Sequence, residues 1–224
     1  MLDVLYEWPA AARVSLRVPK EKIYQQAKVS PVIKTLFVEQ VERIEWSYKL
    51  APKSTNLPAS NAIPEFQVFT VVLKDDELDC KALAAIDTAV SQPVLFEVVR
   101  SSGAGTQTQL QATFKVYGAE TAKSRSYFCS EWVAADTPRR QLPAAVSLDV
   151  LYTQVLSQLS EIPIGPGETP QQSAARLAKI DAIKADITSL NRRIGSETQF
   201  KKRFELRVQL DAKKDELKSL TERA

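Results

Sequence analysis

One segment limits the fold more than any other. Phe66-Gln67-Val68-Phe69-Thr70-Val71-Val72-Leu73 is almost continuously apolar and rich in β-branched and aromatic residues. A run of this kind fits a central strand buried on both faces, so it calls for a sheet with a layer packed on each side. Asp75-Asp76-Glu77 closes it. Leu83, Ile86 and Val90, with several alanines, then predict an amphipathic helix from about Asp79 to Val90, and Pro93 introduces a strand over Val94 to Arg100.

The flanking segments complete a sheet. Upstream, Lys20–Gln26 reads as a short helix entered through Pro19, and Ser30-Pro31 starts a second one that carries Val32, Ile33, Leu36 and Phe37 and ends near Gln40. Ile44, Trp46 and Tyr48 alternate with polar residues, which predicts a strand with those three on one buried face. A proline- and asparagine-rich loop, Pro52 to Pro64, follows. Downstream, Ser101-Ser102-Gly103-Ala104-Gly105 is a turn, and Leu110–Tyr117 pairs with Tyr127–Val133 across a loop at Gly118 to Arg125. The expectation is an α+β fold: a mixed, mostly antiparallel sheet of about five strands with packed helices, followed by a C-terminal helical hairpin of coiled-coil character.

Beyond Ala134 the pattern is helical. Ser147 caps a helix whose Leu148, Leu151, Tyr152, Val155, Leu156 and Leu159 form one stripe, and Pro163, Gly165, Pro166 and Gly167 break it. Leu177, Ile180, Ile183, Ile187, Leu190 and Ile194 then follow near-heptad spacing, and Leu206, Leu210, Leu217 and Leu220 continue in another phase after Gly195-Ser196. Ser196 with Gln199 has the form of a capping box. The organisation read from this is a body over 1–140, a connecting helix over 141–162, a Pro/Gly linker over 163–170 and a basic hairpin over 171–224. One continuous helix with a local phase shift, which would need a partner chain to cover its stripe, is the alternative.

Composition removes whole classes of chemistry. The chain has no histidine, so no Ser-His-Asp triad, Cys-His dyad or imidazole-ligated metal can arise within it. Cys80 and Cys129 stand alone, which excludes four-thiolate zinc and iron–sulfur sites and reads as two reduced core thiols. The opening Met1-Leu2-Asp3 to Trp8-Pro9 lacks the pattern of a secretory leader, and no apolar stretch is long enough to span a membrane, so the expected location is the cytoplasm and no membrane partner is expected. Net charge is +3, but residues 170–224 hold 13 Lys+Arg against 8 Asp+Glu while residues 1–169 hold 17 against 19.

Candidate sites are few. Glu65-Phe66-Gln67, with Glu39, Glu42 and Glu45 upstream, has the outline of the acid…Glu-x-Lys arrangement by which restriction-type nucleases hold Mg²⁺, but Gln67 stands where the lysine should be. Glu65 and Glu45 are the catalytic candidates of that reading. Asp75-Asp76-Glu77-Leu78-Asp79 lacks calcium-loop spacing, and Ser101–Gly105 lacks the Gly-Lys-Ser/Thr ending of a P-loop. No cofactor or resident metal is expected. The densest charge is Arg192, Arg193, Lys201, Lys202, Arg203 and Arg207, which brackets the tip of the hairpin and suits phosphates or an acidic protein surface.

The order of segments resembles an uncharacterised bacterial domain-of-unknown-function family. The resemblance is carried by Pro19-Lys20 through Phe37, Val41-Glu42-Arg43-Ile44-Glu45-Trp46-Ser47-Tyr48-Lys49-Leu50-Ala51-Pro52, Asn56, Glu65-Phe66-Gln67-Val68-Phe69, Ile86-Asp87 and Glu197-Thr198-Gln199-Phe200 ahead of Leu206. Members are commonly encoded beside a superfamily-two helicase and a DNA methyltransferase in restriction-like, phage-defence gene clusters, and the family supplies no catalytic residues to carry over. The resemblance implies a non-catalytic accessory subunit that acts by protein–protein contacts, and by DNA contacts in one version, with the helicase or methyltransferase of the same operon as partner. Uncovered apolar stripes on Leu148–Leu159 and Leu177–Leu220 are expected to serve the docking or a homodimer. A divergent Mg²⁺-dependent nuclease and a stand-alone DNA-binding module are the competing readings.

Overall fold

The computed structural model describes residues 5–103, 105–118, 127–160, 162, 164 and 168–222. The loop expected over Gly118 to Arg125, beyond Gly118 itself, the breaker residues Pro163, Gly165, Pro166 and Gly167, and the opening Met1–Asp3 lie outside them.

Seven strands build one sheet in the order β1-β2-β3-β4-β5-β6, with β7 also paired to β5. They are β1 Arg13–Arg17, β2 Val41–Leu50, β3 Phe66–Leu73, β4 Val94–Ser102, β5 Gly105–Ala112, β6 Phe128–Cys129 and β7 Val133–Ala134. Only β3 and β4 run parallel, in register from Gln67 opposite Val94 to Val72 opposite Val99. Helix α4 (Cys80–Ala89) makes the crossover between them, capped by Asp79, whose carboxylate accepts from the Lys81 N–H. Helices α1 (Lys20–Gln26) and α2 (Pro31–Gln40) begin and end where proline and Ser30 chemistry predicts, with the Ser30 hydroxyl accepting from the Ile33 N–H. A single helical turn, α3 (Pro52–Thr55), interrupts the following loop.

The central strand is covered on both sides, as its composition requires. Phe66 and Val68 point into one core with Leu95, Leu110 and Ala112, while Phe69, Val71 and Leu73 point into another with Phe96, Val98, Leu83, Ile86 and Phe37. The second core is roofed by α1, α2 and α4. The first is roofed by α5 (Leu148–Leu159), the segment Leu5–Trp8, and the root of a hairpin made by α6 (Pro170–Ser196) and α7 (Phe200–Thr221). All six apolar side chains of the α5 stripe are buried there, each contributing about 1.5–3 kcal/mol of gross burial.

The α+β fold, with its mixed, mostly antiparallel sheet, packed helices and C-terminal helical hairpin, is as expected. Several expectations are corrected. Among the described residues the sheet also includes β1, which is mostly exposed and carries no alternation signal, and the run Tyr127–Val133 is split into two short edge strands. Trp46 and Tyr48 do not share a face: a bulge between them adds one residue to β2, so Ile44 and Trp46 pack into the helix-roofed core of Phe69 while Tyr48 and Leu50 pack into the opposite one. The strand placed at Leu110–Tyr117 is Gly105–Ala112. Phe114 and Val116 are buried as their alternation predicts, but the chain has left the ladder and runs under α5, where the Tyr152 hydroxyl donates to the Thr113 carbonyl and accepts from the Lys115 N–H. Ser147 makes no side-chain cap, and Gln199, the residue at the N-cap position of α7, makes none either, so the Ser196–Gln199 box does not form; the Ser196 hydroxyl turns back to the Arg192 and Arg193 carbonyls. Cys80 is exposed and Cys129 half-buried, so neither is a core thiol. The stripes on Leu148–Leu159 and Leu177–Leu220 are largely covered, by the sheet and by the hairpin itself.

Candidate functional site

The C-terminal hairpin is built from its ends inward. Thr169 caps α6 by accepting from the Gln172 N–H while Gln172 accepts from the Thr169 N–H, and Pro170 occupies the first turn, so the helix starts at a defined residue. Glu168 holds Arg176 through two hydrogen bonds of 2.8 Å, and Arg176 in turn donates to the Leu220 carbonyl. Hydrogen bonding to Glu168 keeps that guanidinium above its ordinary pKa. Farther out, Lys179 meets Glu216 at 2.9 Å and Lys213 meets Asp186 at 3.1 Å, pairings that define two antiparallel helices. The Asp186 carboxylate first, then Glu216, raises the Lys213 pKa, and Lys179 lowers that of Glu216. Leu190, Leu206 and Leu210 close the outer seam with Ile187 and Ile194.

The two ends of this arm differ in character. Nearer the body, Lys179 and Lys213 are paired across the helices. At the tip, Arg192 and Arg193 leave α6 as Lys201, Lys202, Arg203 and Arg207 enter α7, so residues separated in sequence come to one end. Among the described residues none of these six makes an ion pair, and all but the half-buried Arg203 are exposed. The sequence-predicted cluster is thus brought together.

The tip also carries something the spacing of leucines conceals. Phe200, Phe204 and Val208 are 77%, 60% and 54% exposed. Steps of four residues align them along one side of α7, away from Leu206 and Leu210, which face α6. Among the described residues of the C-terminal helices, the apolar row left uncovered is therefore neither α5 nor the leucine seam but this short outer one. Its signal was in the sequence, two phenylalanines and a valine at i, i+4 and i+8, out of phase with the leucines of the same helix.

The carboxylate candidates are not assembled. Glu65 is tied to Lys49 at 2.8 Å and accepts from the Gln67 side chain at 3.1 Å. Glu45 stands opposite Thr70, whereas Glu65 immediately precedes Phe66, the partner of Leu50. That offset of five residues along β2 is about 17 Å at roughly 3.4 Å per residue, too far for one shared cation. Among the described residues no group of three or more Cys, Asp or Glu side chains is placed to hold a metal ion.

Two buried charged groups serve the fold. Glu97, on β4, accepts from the Trp8 indole at 2.7 Å and takes both arms of Arg139 at 2.5 and 3.0 Å, while Arg139 also donates to the Tyr6 carbonyl. This fastens the N-terminal segment and the Arg139 segment to the centre of the sheet. Lys115 meets Asp87 at 3.2 Å and donates to the Asp87 and Val90 carbonyls at the end of α4. Burial, with a smaller effect of Cys80, pushes the Cys129 thiol up to about 11, so it is a poor nucleophile.

No curated protein and no solved structure matches the chain. A family model described as a domain of unknown function, DUF4391, matches residues 7–217, from the anchored N-terminal segment to the last turns of α7. With that match spanning nearly its whole length, the chain belongs to the domain-of-unknown-function family DUF4391.

Proposed function

We propose that this protein is a non-catalytic accessory subunit of a restriction-like, phage-defence system, and that its α6–α7 arm docks onto the larger enzyme of that system, a helicase or a DNA methyltransferase. The genomic setting is what the family resemblance implies. The supporting observation is the tip of the arm, where Phe200, Phe204 and Val208 are exposed beside six cations that make no ion pair among the described residues, while Lys179 and Lys213 nearer the body are paired. Exposed apolar rows rimmed by polar residues are the ordinary mark of a protein-binding surface. The test is affinity purification of the tagged chain from its own host through a moderate-salt wash. Near-stoichiometric recovery of the helicase or methyltransferase supports the reading, and recovery of the chain alone overturns it.

A second reading takes the same cations as a duplex contact. Arg192, Arg193, Lys201, Lys202, Arg203 and Arg207 at one end of a helical pair suit phosphates, and binding should then weaken steeply with salt. Lys201, Lys202 and Arg203 changed to Glu should abolish duplex binding. If the wild type does not bind a duplex at low salt, this version fails while the docking version stands.

A further inference from the structure

The row Phe200, Phe204 and Val208 is one residue wide and about 12 Å long at roughly 1.5 Å per residue. One flank is cationic, with Arg203 and Arg207; the other carries Lys201 followed one turn later by Glu205, the one acid among these turns. Beyond Val208 the same face turns acidic at Asp211 and Asp215, which ends the row. A strip this narrow matches the contact line of a single helix, whose axis would lie about 8–10 Å from that of α7.

We infer that this face seats an amphipathic helix of the partner protein, one whose apolar stripe is bordered by Asp or Glu. The inference rests on the docking reading above and names the chemistry of its partner. The apolar row of the incoming helix covers Phe200, Phe204 and Val208, and its acidic borders meet Lys201, Arg203 and Arg207. Helix-on-helix recognition is read through anchors at i, i+4 and i+8, the spacing of Phe200, Phe204 and Val208. Charge complementarity along the flanks sets the orientation and rejects helices with basic borders.

Other occupants fit less well. A DNA duplex would leave the two phenylalanines in water or against phosphates. An anionic lipid surface would bring Asp211 and Asp215, on the same face, against lipid headgroups of like charge. A second copy laid antiparallel over the same turns puts Arg203 and Arg207 on the same flank as their own counterparts.

The test uses the full chain and a synthetic three-heptad helix with Leu at the core positions and Glu at the bordering ones, beside a version with Lys at those borders. Fluorescence anisotropy should show binding of the Glu-bordered helix, weakened about tenfold by Phe204→Ala, as for the loss of one apolar anchor, and at least about 30-fold by Lys201→Glu, Arg203→Glu and Arg207→Glu together. Phe200 and Phe204 are exposed, so Phe200→Asp with Phe204→Asp leaves folding intact, which circular dichroism checks. Equal binding of the Lys-bordered helix overturns the inference, as does no binding of the Glu-bordered one. Self-association of the wild type in sedimentation equilibrium that Phe204→Asp abolishes also overturns it, in favour of a second copy, and tip-dependent capture by phosphatidylserine vesicles would assign the face to lipid instead. Co-purification separates the two levels. If the host partner is recovered equally by the wild type and by the Phe200→Asp, Phe204→Asp variant, the docking reading stands and this seat falls; if the wild type recovers none, the docking reading falls with it.

Discussion

Replacing Arg139 by Met should destabilise the protein more than replacing its partner Glu97 by Gln, although both remove the same ion pair. Glu97 is only 5% exposed, and the Arg139 side chain is 35% exposed. Arg139→Met removes two charged hydrogen bonds to Glu97 and one to the Tyr6 carbonyl, and leaves a buried carboxylate with the Trp8 indole alone. Removing one partner of a fully buried pair costs about 3–5 kcal/mol; the open Arg139 side admits water, which places this case at about 2–4 kcal/mol. Glu97→Gln keeps one oxygen that can accept from the Trp8 indole and one Arg139 arm, and the other arm can turn to solvent, so its cost is about 1–2 kcal/mol. The double variant contains no orphaned charge and should therefore cost at least about 1 kcal/mol less than the two single losses combined. Urea unfolding followed by tryptophan fluorescence measures all three, and Arg139→Met should lower the melting temperature by roughly 5–15 °C for a chain of this size. Additive losses, or a larger loss from Glu97→Gln than from Arg139→Met, would refute the reasoning.

Three further outcomes are expected. Lys115→Met should cost about 4–5 kcal/mol, at the upper end for a broken buried pair, because the Lys115 and Asp87 side chains are 2% and 1% exposed; a loss below about 1 kcal/mol in the same unfolding assay would contradict the burial argument. Cys80 should react with a thiol reagent at neutral pH in the native protein while Cys129 reacts only after denaturation, since Cys80 is exposed and the Cys129 thiol is held near 11; equal rates would contradict this. Tyr6, pushed up to about 12 by burial with Arg140 opposing slightly, should ionise late in an alkaline absorbance titration. Its folded value exceeds the unfolded value of about 10, so its contribution to stability is present below pH 10 and is lost as pH rises toward 12; Tyr6→Phe should flatten that decline.

What could be read from the residues was local or periodic. Lys20–Gln26, Pro31–Gln40, Phe66–Leu73, Cys80–Ala89 and Leu148–Leu159 are set by proline and Ser or Asp caps, by one continuous apolar run and by helical stripes, all of which act over a few residues, and each appears within a residue or two of its expected span. The absence of histidine likewise needs no structure to exclude imidazole chemistry. Tertiary structure decided whatever depends on partners distant in the chain. The bulge that sends Trp46 and Tyr48 to opposite faces lies in the pairing with β3, and where Thr113–Val116 leaves the sheet the Tyr152 hydroxyl on α5 takes up backbone hydrogen bonds at Thr113 and Lys115. The anchoring of Trp8 by Glu97 joins residues that no pattern relates. The basic tip shows both sides of this division. Its cations were visible as a cluster, but which apolar row lay uncovered followed from how α7 turned on α6. Leu206 and Leu210 took the seam, and burial of one side of a helix leaves its opposite side, with Phe200, Phe204 and Val208, facing out.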